Sequence, residues 1–242
     1  LKSDYLHRGF NDEEVAEFDK PETIEGIEKA LRALGYTTDR VGSLESLMAR
    51  LLAGDRWDMV FNIAEGLRGY GRESAVPAVL DQYGVPYVFS DPLALAVTLH
   101  KPTTKRILRD NGIPTADFRV VRTITEARKL DLQYPVFVKP VAEGSSTGIT
   151  SDSRARNNAQ AVAACRNVFE ATRQPALVET YLSGREFTVG MVGAGADTEV
   201  VGVMEIIIQE GASTSYSLEV KSAADFWSMV SYEICRDAPM RR

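Results

Sequence analysis

Val136-Phe-Val-Lys139-Pro140-Val-Ala-Glu143-Gly144-Ser145-Ser146-Thr147-Gly148-Ile149 decides how this chain is read. A short apolar run of strand type ends on a lysine, and small and hydroxylated residues follow. Gly144 and Gly148 allow close backbone approach to a ligand. Ser145, Ser146, Thr147 and the loop N–H groups can donate to phosphate oxygens, and Lys139 is a point charge suited to a phosphate. The last glycine is not followed by Lys-Ser/Thr, so this is not a Walker A loop. A flexible surface loop after a strand has the same composition, and the segment alone leaves both readings open.

Upstream, helix and strand signals alternate. Pro21 opens a helix over residues 21–35 with Ile24, Ile27, Leu31 and Leu34 on one face. Ser43 caps a second helix carrying Leu44, Leu47, Leu51 and Leu52. A third helix covers residues 73–83. Thr37–Val41, Asp58–Ile63 and Tyr87–Phe89 read as strands between them. The expected fold of residues 1–91 is therefore α/β, a doubly wound parallel sheet. Such a domain normally opens with a strand, and none precedes Leu1, so the first strand is expected to be missing. Ser90-Asp91-Pro92 marks the boundary. Beyond it, helices at 93–100, 102–110 and 157–171 accompany strands at 118–121, 136–138, 176–179, 186–192 and 200–208. That is an α+β pattern.

Three other segments bear on chemistry. Lys101 lies between two helices and by itself reads as a solvated turn residue. Val178-Glu179-Thr180-Tyr181-Leu182-Ser-Gly184-Arg-Glu186 joins two strands. It fits either a linker offering carboxylates and backbone groups to a purine and ribose, or a plain hairpin with outward acids. Glu65, Arg68 and Arg72 lie in a Gly-rich stretch after a strand, where α/β sheets bind ligands, and could meet a zwitterionic or carboxylate substrate. An ordinary polar loop is the other reading there. Gly69-Tyr-Gly71 ends in Ser74, so the dinucleotide fingerprint fails.

Composition removes several classes. The 242 residues are 44% hydrophobic and 26% charged, as in ordinary globular proteins. With 28 basic and 34 acidic residues the net charge is −6, which gives no reason to expect nucleic acid or an anionic membrane as partner. Two cysteines make no disulfide framework and point to a reducing, cytoplasmic setting. With only two histidines, no metal-ligand cluster and no Ser-His-Asp hydrolase is expected, and no metal ligand is assigned.

Each motif is ambiguous alone, but their order is informative. Lys101, then Lys139-Pro140 with Glu143-Gly-Ser-Ser-Thr-Gly148, then Glu179-x-x-Leu182-x-Gly184-x-Glu186, resembles the ATP-grasp family, and within it the D-alanine–D-alanine ligases. Gly84–Tyr87, Asn111–Thr115 and Val203-Met-Glu205 support the likeness. The resemblance implies a pre-ATP-grasp domain over 1–91, a central ATP-grasp subdomain over 92–183 and the incomplete start of a C-terminal subdomain over 184–242.

It further implies that Lys101 and Lys139 neutralise ATP phosphates. Glu143, Gly144, Ser145, Ser146 and Gly148 belong to the loop that closes over them. Glu179, Thr180, Tyr181 and Leu182 line the adenine slot, and Glu186 holds the ribose. Lys221 and Ser145 are the catalytic candidates, and Glu65, Arg68 and Arg72 the substrate-side ones.

The implied reaction is an ATP- and magnesium-dependent joining of a carboxylate and an amine through an acyl phosphate, in cell-wall peptidoglycan synthesis. Its substrates are small amino acids, and a homodimer is a candidate assembly. Glu65 stands near the position where the family places a histidine. The family's substrate-side glutamate has two candidates, Glu17 and Glu22. The family's Arg-x-Asp and Glu-x-Asn magnesium strands do not follow Lys221. The chain is therefore expected to be cut at both ends and to be inactive or nearly so alone. A sibling ligase with another substrate, or a nucleotide-binding fragment without turnover, remain alternatives.

Overall fold

The computed structural model describes residues 2–11, 15–208 and 226–236. The chain divides into two compact units. The first comprises Leu1–Thr115 with Val141–Thr147, and the second Ala116–Pro140 with Gly148–Arg242.

The first unit is built from helices. They are α1 (Lys2–His7), α2 (Pro21–Ala33), α3 (Leu44–Leu52), α4 (Ala75–Tyr83), α5 (Pro92–Leu99) and α6 (Lys101–Asp110). Local chemistry sets several of their ends. Pro21 and Pro92 occupy first-turn positions, where a missing N–H is harmless. The Ser43 hydroxyl accepts from Ser46 N at the start of α3, and Asp91 accepts from Ala94 N at the start of α5. Gly84 ends α4 in the left-handed conformation. Leu47, Leu51, Val76, Leu80 and Val85 form the buried core, flanked by Trp57, Val60, Tyr83 and Tyr87.

The doubly wound parallel sheet expected here is not what forms. Among the described residues, the sheets are antiparallel and both lie in the second unit. Thr37–Val41 has no strand. Asp58–Ile63 and Tyr87–Phe89 meet in a single parallel bridge, Val60 with Tyr87, closed by Val60 N to Pro86 O at 2.8 Å and Val88 N to Val60 O at 2.9 Å. An apolar run becomes a sheet strand only where neighbours satisfy its backbone along its length, and here one contact does so. Val41, Val60 and Tyr87 of these runs instead flank the helical core, while Met59, Phe61 and Phe89 are exposed.

The second unit begins with β1 (Phe118–Val121), α7 (Ile124–Ala127), β2 (Val136–Pro140), β3 (Arg154–Ala155), α8 (Asn158–Thr172) and β4 (Ala176–Thr180). Its four strands form an antiparallel sheet in the order β1-β4-β2-β3. Asn157 caps α8 by accepting from Gln160 N at 3.0 Å. Val136 and Val138 are fully buried and pack with Val121, Ala127, Ala161, Cys165, Val168 and Val178. The two-residue period of a strand then turns Phe137 and Lys139 to the other face. A three-stranded antiparallel sheet follows, with β5 (Glu186–Val192), β6 (Glu199–Ile208) and β7 (Val230–Ile234), the last preceded by the short helix α9 (Phe226–Met229).

No helix among the described residues is long and apolar enough to cross a membrane.

Candidate nucleotide and substrate sites

In the second unit, Lys139 and Glu179 share a sheet face. Phe137 stands opposite Glu179 in the β2–β4 register, so Lys139, two residues on, is the diagonal neighbour of Glu179. Their side chains form an ion pair at 2.5 Å and are 23% and 13% exposed. Tyr181 follows directly, its N–H donating to Pro135 O at 3.0 Å, and its ring stacks near Phe137 with centroids 6.2 Å apart. The Arg154 guanidinium lies 4.2 Å from the Tyr181 ring centroid, a cation–π contact. Thr180 N donates to Asp117 O at 2.9 Å. The structure thus brings Lys139, Glu179, Thr180 and Tyr181 into one neighbourhood and adds Phe137 and Arg154. Leu182 is 70% exposed, and Glu186 is exposed at the start of β5.

Gly148 has φ +71°, and a Cβ there would meet Pro140 Cγ at 2.8 Å and Thr172 Cγ2 at 3.2 Å. Only glycine suits both that backbone and that approach.

In the first unit the loop residues themselves are held. Ser145 and Ser146 are consecutive non-glycine residues with φ of 44° and 64°. Successive left-handed residues turn their N–H groups toward one side, an arrangement suited to anions. Thr147 N closes the turn on Gly144 O at 2.9 Å. The Thr147 hydroxyl oxygen is buried with no hydrogen-bond partner among the described residues, as expected of a group that serves a ligand. A phosphate fits this donor set.

Glu143 and Gly144 meet a charged cluster. Lys101 donates through its ammonium to Glu143 O and through its backbone N–H to Val141 O, the latter at 2.9 Å. Arg72 is almost fully buried and pairs with Glu17 at 3.0 Å and Glu143 at 3.3 Å. Glu17 in turn accepts from Gly144 N. Of the two glutamates considered from the sequence, Glu17 joins this cluster, whereas Glu22 lies in the first turn of α2 and is exposed.

Glu65 lies beside this cluster, and Arg68 is exposed. Burial, reinforced by Glu73 and Glu17, pushes the Glu65 carboxyl up to about 7. Burial raises Glu73 as well. Carboxylate oxygens of Glu17, Glu65 and Glu73 lie within 4.8 Å of one another. Three such acids could ligate a cation, but Arg72 and the Gly144 N–H already meet Glu17. The contacts of Glu17 are not legible from sequence, because its partners Arg72 and Gly144 are distant in the chain. Lys221 lies outside the described residues.

Residues 107–236 match the family described as D-ala D-ala ligase C-terminus. The chain belongs to the D-alanine–D-alanine ligase-like ATP-grasp family. Among relatives of this family, the uncharacterized protein y4sG of Sinorhizobium fredii is 38% identical over 166 residues, 69% of this chain and 48% of that protein. A D-alanine--D-alanine ligase of Bordetella avium is 32% identical over 189 residues, 77% of this chain and 57% of that protein. The chain thus spans about half the length of these relatives. The VanG D-Ala:D-Ser ligase structure from Enterococcus faecalis superposes with a TM-score of 0.58 at 24% identity. That likeness covers 76% of this chain and 52% of the other, and concerns the fold.

Proposed function

We propose that the protein is an ATP-dependent carboxylate–amine ligase that forms a dipeptide through an acyl phosphate, with D-alanyl-D-alanine as the product. The observation that carries this reading is the ordered loop Glu143–Gly148. It has two left-handed serines, an orphaned Thr147 hydroxyl and a lysine-bearing strand before it, within a chain of this family.

ATP supplies the γ-phosphoryl group that activates the substrate carboxylate. The protein's share is positioning and neutralisation of charge, which dominate phosphoryl transfer. Lys101, Lys139 and the Gly144–Gly148 segment take the phosphates. Glu179, Thr180, Tyr181 and Leu182 take the adenine, and Glu186 the ribose. Ser145 and Lys221 act at the reacting groups. Glu65 and Arg68 lie on the substrate side. Magnesium accompanies the nucleotide. The setting is cytoplasmic peptidoglycan synthesis.

A second reading, a sibling ligase for another amino acid or peptide, is favoured by Glu65. A half-buried carboxyl held near neutrality is chemically unlike an imidazole and would select a different amine component. Phosphate release from ATP and magnesium, measured on the full-length protein against pairs of amino acids, tests both. Turnover with D-alanine alone supports the first reading, and turnover only with another pair supports the second. ATP binding without turnover across the panel refutes both as ligases.

A further inference from the structure

We propose that Arg72 is a positioning residue that fixes the base of the Gly144–Thr147 loop. Its side chain is only 5% exposed, and both of its terminal nitrogens donate to acceptors of the protein. Nη1 donates to Ala142 O at 2.9 Å. Nη2 donates to both carboxylate oxygens of Glu17, at 3.2 and 3.0 Å, and to Glu143 Oε2 at 3.3 Å. Each residue from Val141 to Gly144 is therefore tied: Val141 and Glu143 through their carbonyls to Lys101, Ala142 to Arg72, Gly144 to Glu17. Arg72 thus touches both the loop's backbone and both acids.

The Arg72 backbone is fixed in turn. Gly66 has φ +78°, and a Cβ there would meet Arg72 O at 2.7 Å. The guanidinium is a planar fork of several N–H donors, so it can serve a carbonyl and two carboxylates at once. An ammonium lacks that planar reach. Without Arg72, Glu17 and Glu143 would face each other as like charges beside Glu65 and Glu73. The loop's base would separate just before two residues in the left-handed region, whose shape persists only where the surroundings enforce it. A guanidinium so enclosed has little surface left for a substrate carboxylate.

The consequence for nucleotide binding rests on the proposed function; the anchoring itself does not. Sub-second hydrogen exchange on the 242-residue chain, read for wild type, Arg72→Gln and Arg72→Lys, tests the anchoring. Titration of ATP with magnesium tests its consequence. Expected for Arg72→Gln is at least tenfold faster exchange at Glu143–Thr147, unchanged protection at Leu47 and Leu80, and at least tenfold weaker ATP binding. Arg72→Lys should restore part of both. A folded Arg72→Gln with wild-type exchange at Glu143–Thr147 overturns the proposal. Should that variant not fold, wild-type exchange there in Arg72→Lys overturns it instead. A wild-type chain that binds no ATP, yet loses loop protection in Arg72→Gln, supports the anchoring and removes the nucleotide reading.

Discussion

The Lys139 ammonium lies 2.5 Å from a carboxylate oxygen of Glu179, across adjacent antiparallel strands and on the face away from the valine core. Both groups are assigned to the same nucleotide in the proposed function, and here they neutralise each other. ATP must therefore exchange this pair for its own contacts. Lys139→Ala should weaken ATP binding at least tenfold. A double-mutant cycle of Lys139→Met and Glu179→Gln, followed by urea unfolding, should give a coupling of about 0.5–2 kcal/mol. Partial exposure keeps it in the lower part of the range for paired charges. Zero coupling would show that the pair contributes nothing to stability.

Glu65 should make stability depend on pH near neutrality. Its folded-state pKa, about 7, lies above the ordinary 4.5 because burial and two neighbouring acids disfavour the charged form. The folded state therefore holds the proton more tightly. The associated stability is fully present below about pH 4.5 and is lost as pH rises through 7. Solvent screening at a half-buried site limits the loss to ~1–2 kcal/mol. Unfolding free energies at pH 5 and pH 8 should differ less in Glu65→Gln than in wild type. An identical pH slope in both would contradict the assignment.

Cys165 should be chemically silent in the native protein. It is fully buried against α8's neighbours in the sheet core, and burial pushes its thiol up to about 12. The thiolate is the reactive form, so little is present at pH 8. Iodoacetamide labelling followed by mass spectrometry should leave Cys165 unmodified until the urea transition. Modification under native conditions would show that the core opens locally.

Gly148→Ala should destabilise the protein by about 1–3 kcal/mol. The cost combines a left-handed backbone with a Cβ pressed against Pro140 and Thr172. Urea unfolding measures it. A change below about 0.5 kcal/mol would mean that the segment shifts freely to make room.

Sequence patterning served the second unit best. The strands at 118–121 and 186–192 occur where hydrophobic alternation puts them, and those at 176–179 and 200–208 are longer by one residue each. Alternation located these strands without recording their partners: β5 pairs with the next strand, β6, but β1 and β2 both pair with the later β4. In the first unit the same apolar signals at Thr37–Val41 and Asp58–Ile63 misled. A strand exists only when another strand answers it, and periodicity contains no record of that partner.

By itself the amino-acid sequence determined the motif order from Lys101 through Lys139 and Gly148 to Glu186, and with it the family. Helix caps, strand alternation and glycine requirements are local properties of consecutive residues. Only the tertiary structure decided that the first unit carries no parallel sheet among its described residues, and that Arg72 holds Glu17 and Glu143. Those acids lie 55 and 71 residues from it in the chain. A guanidinium seeks whichever carboxylates the fold delivers, and chain separation sets no limit on that choice once the backbone has turned back on itself.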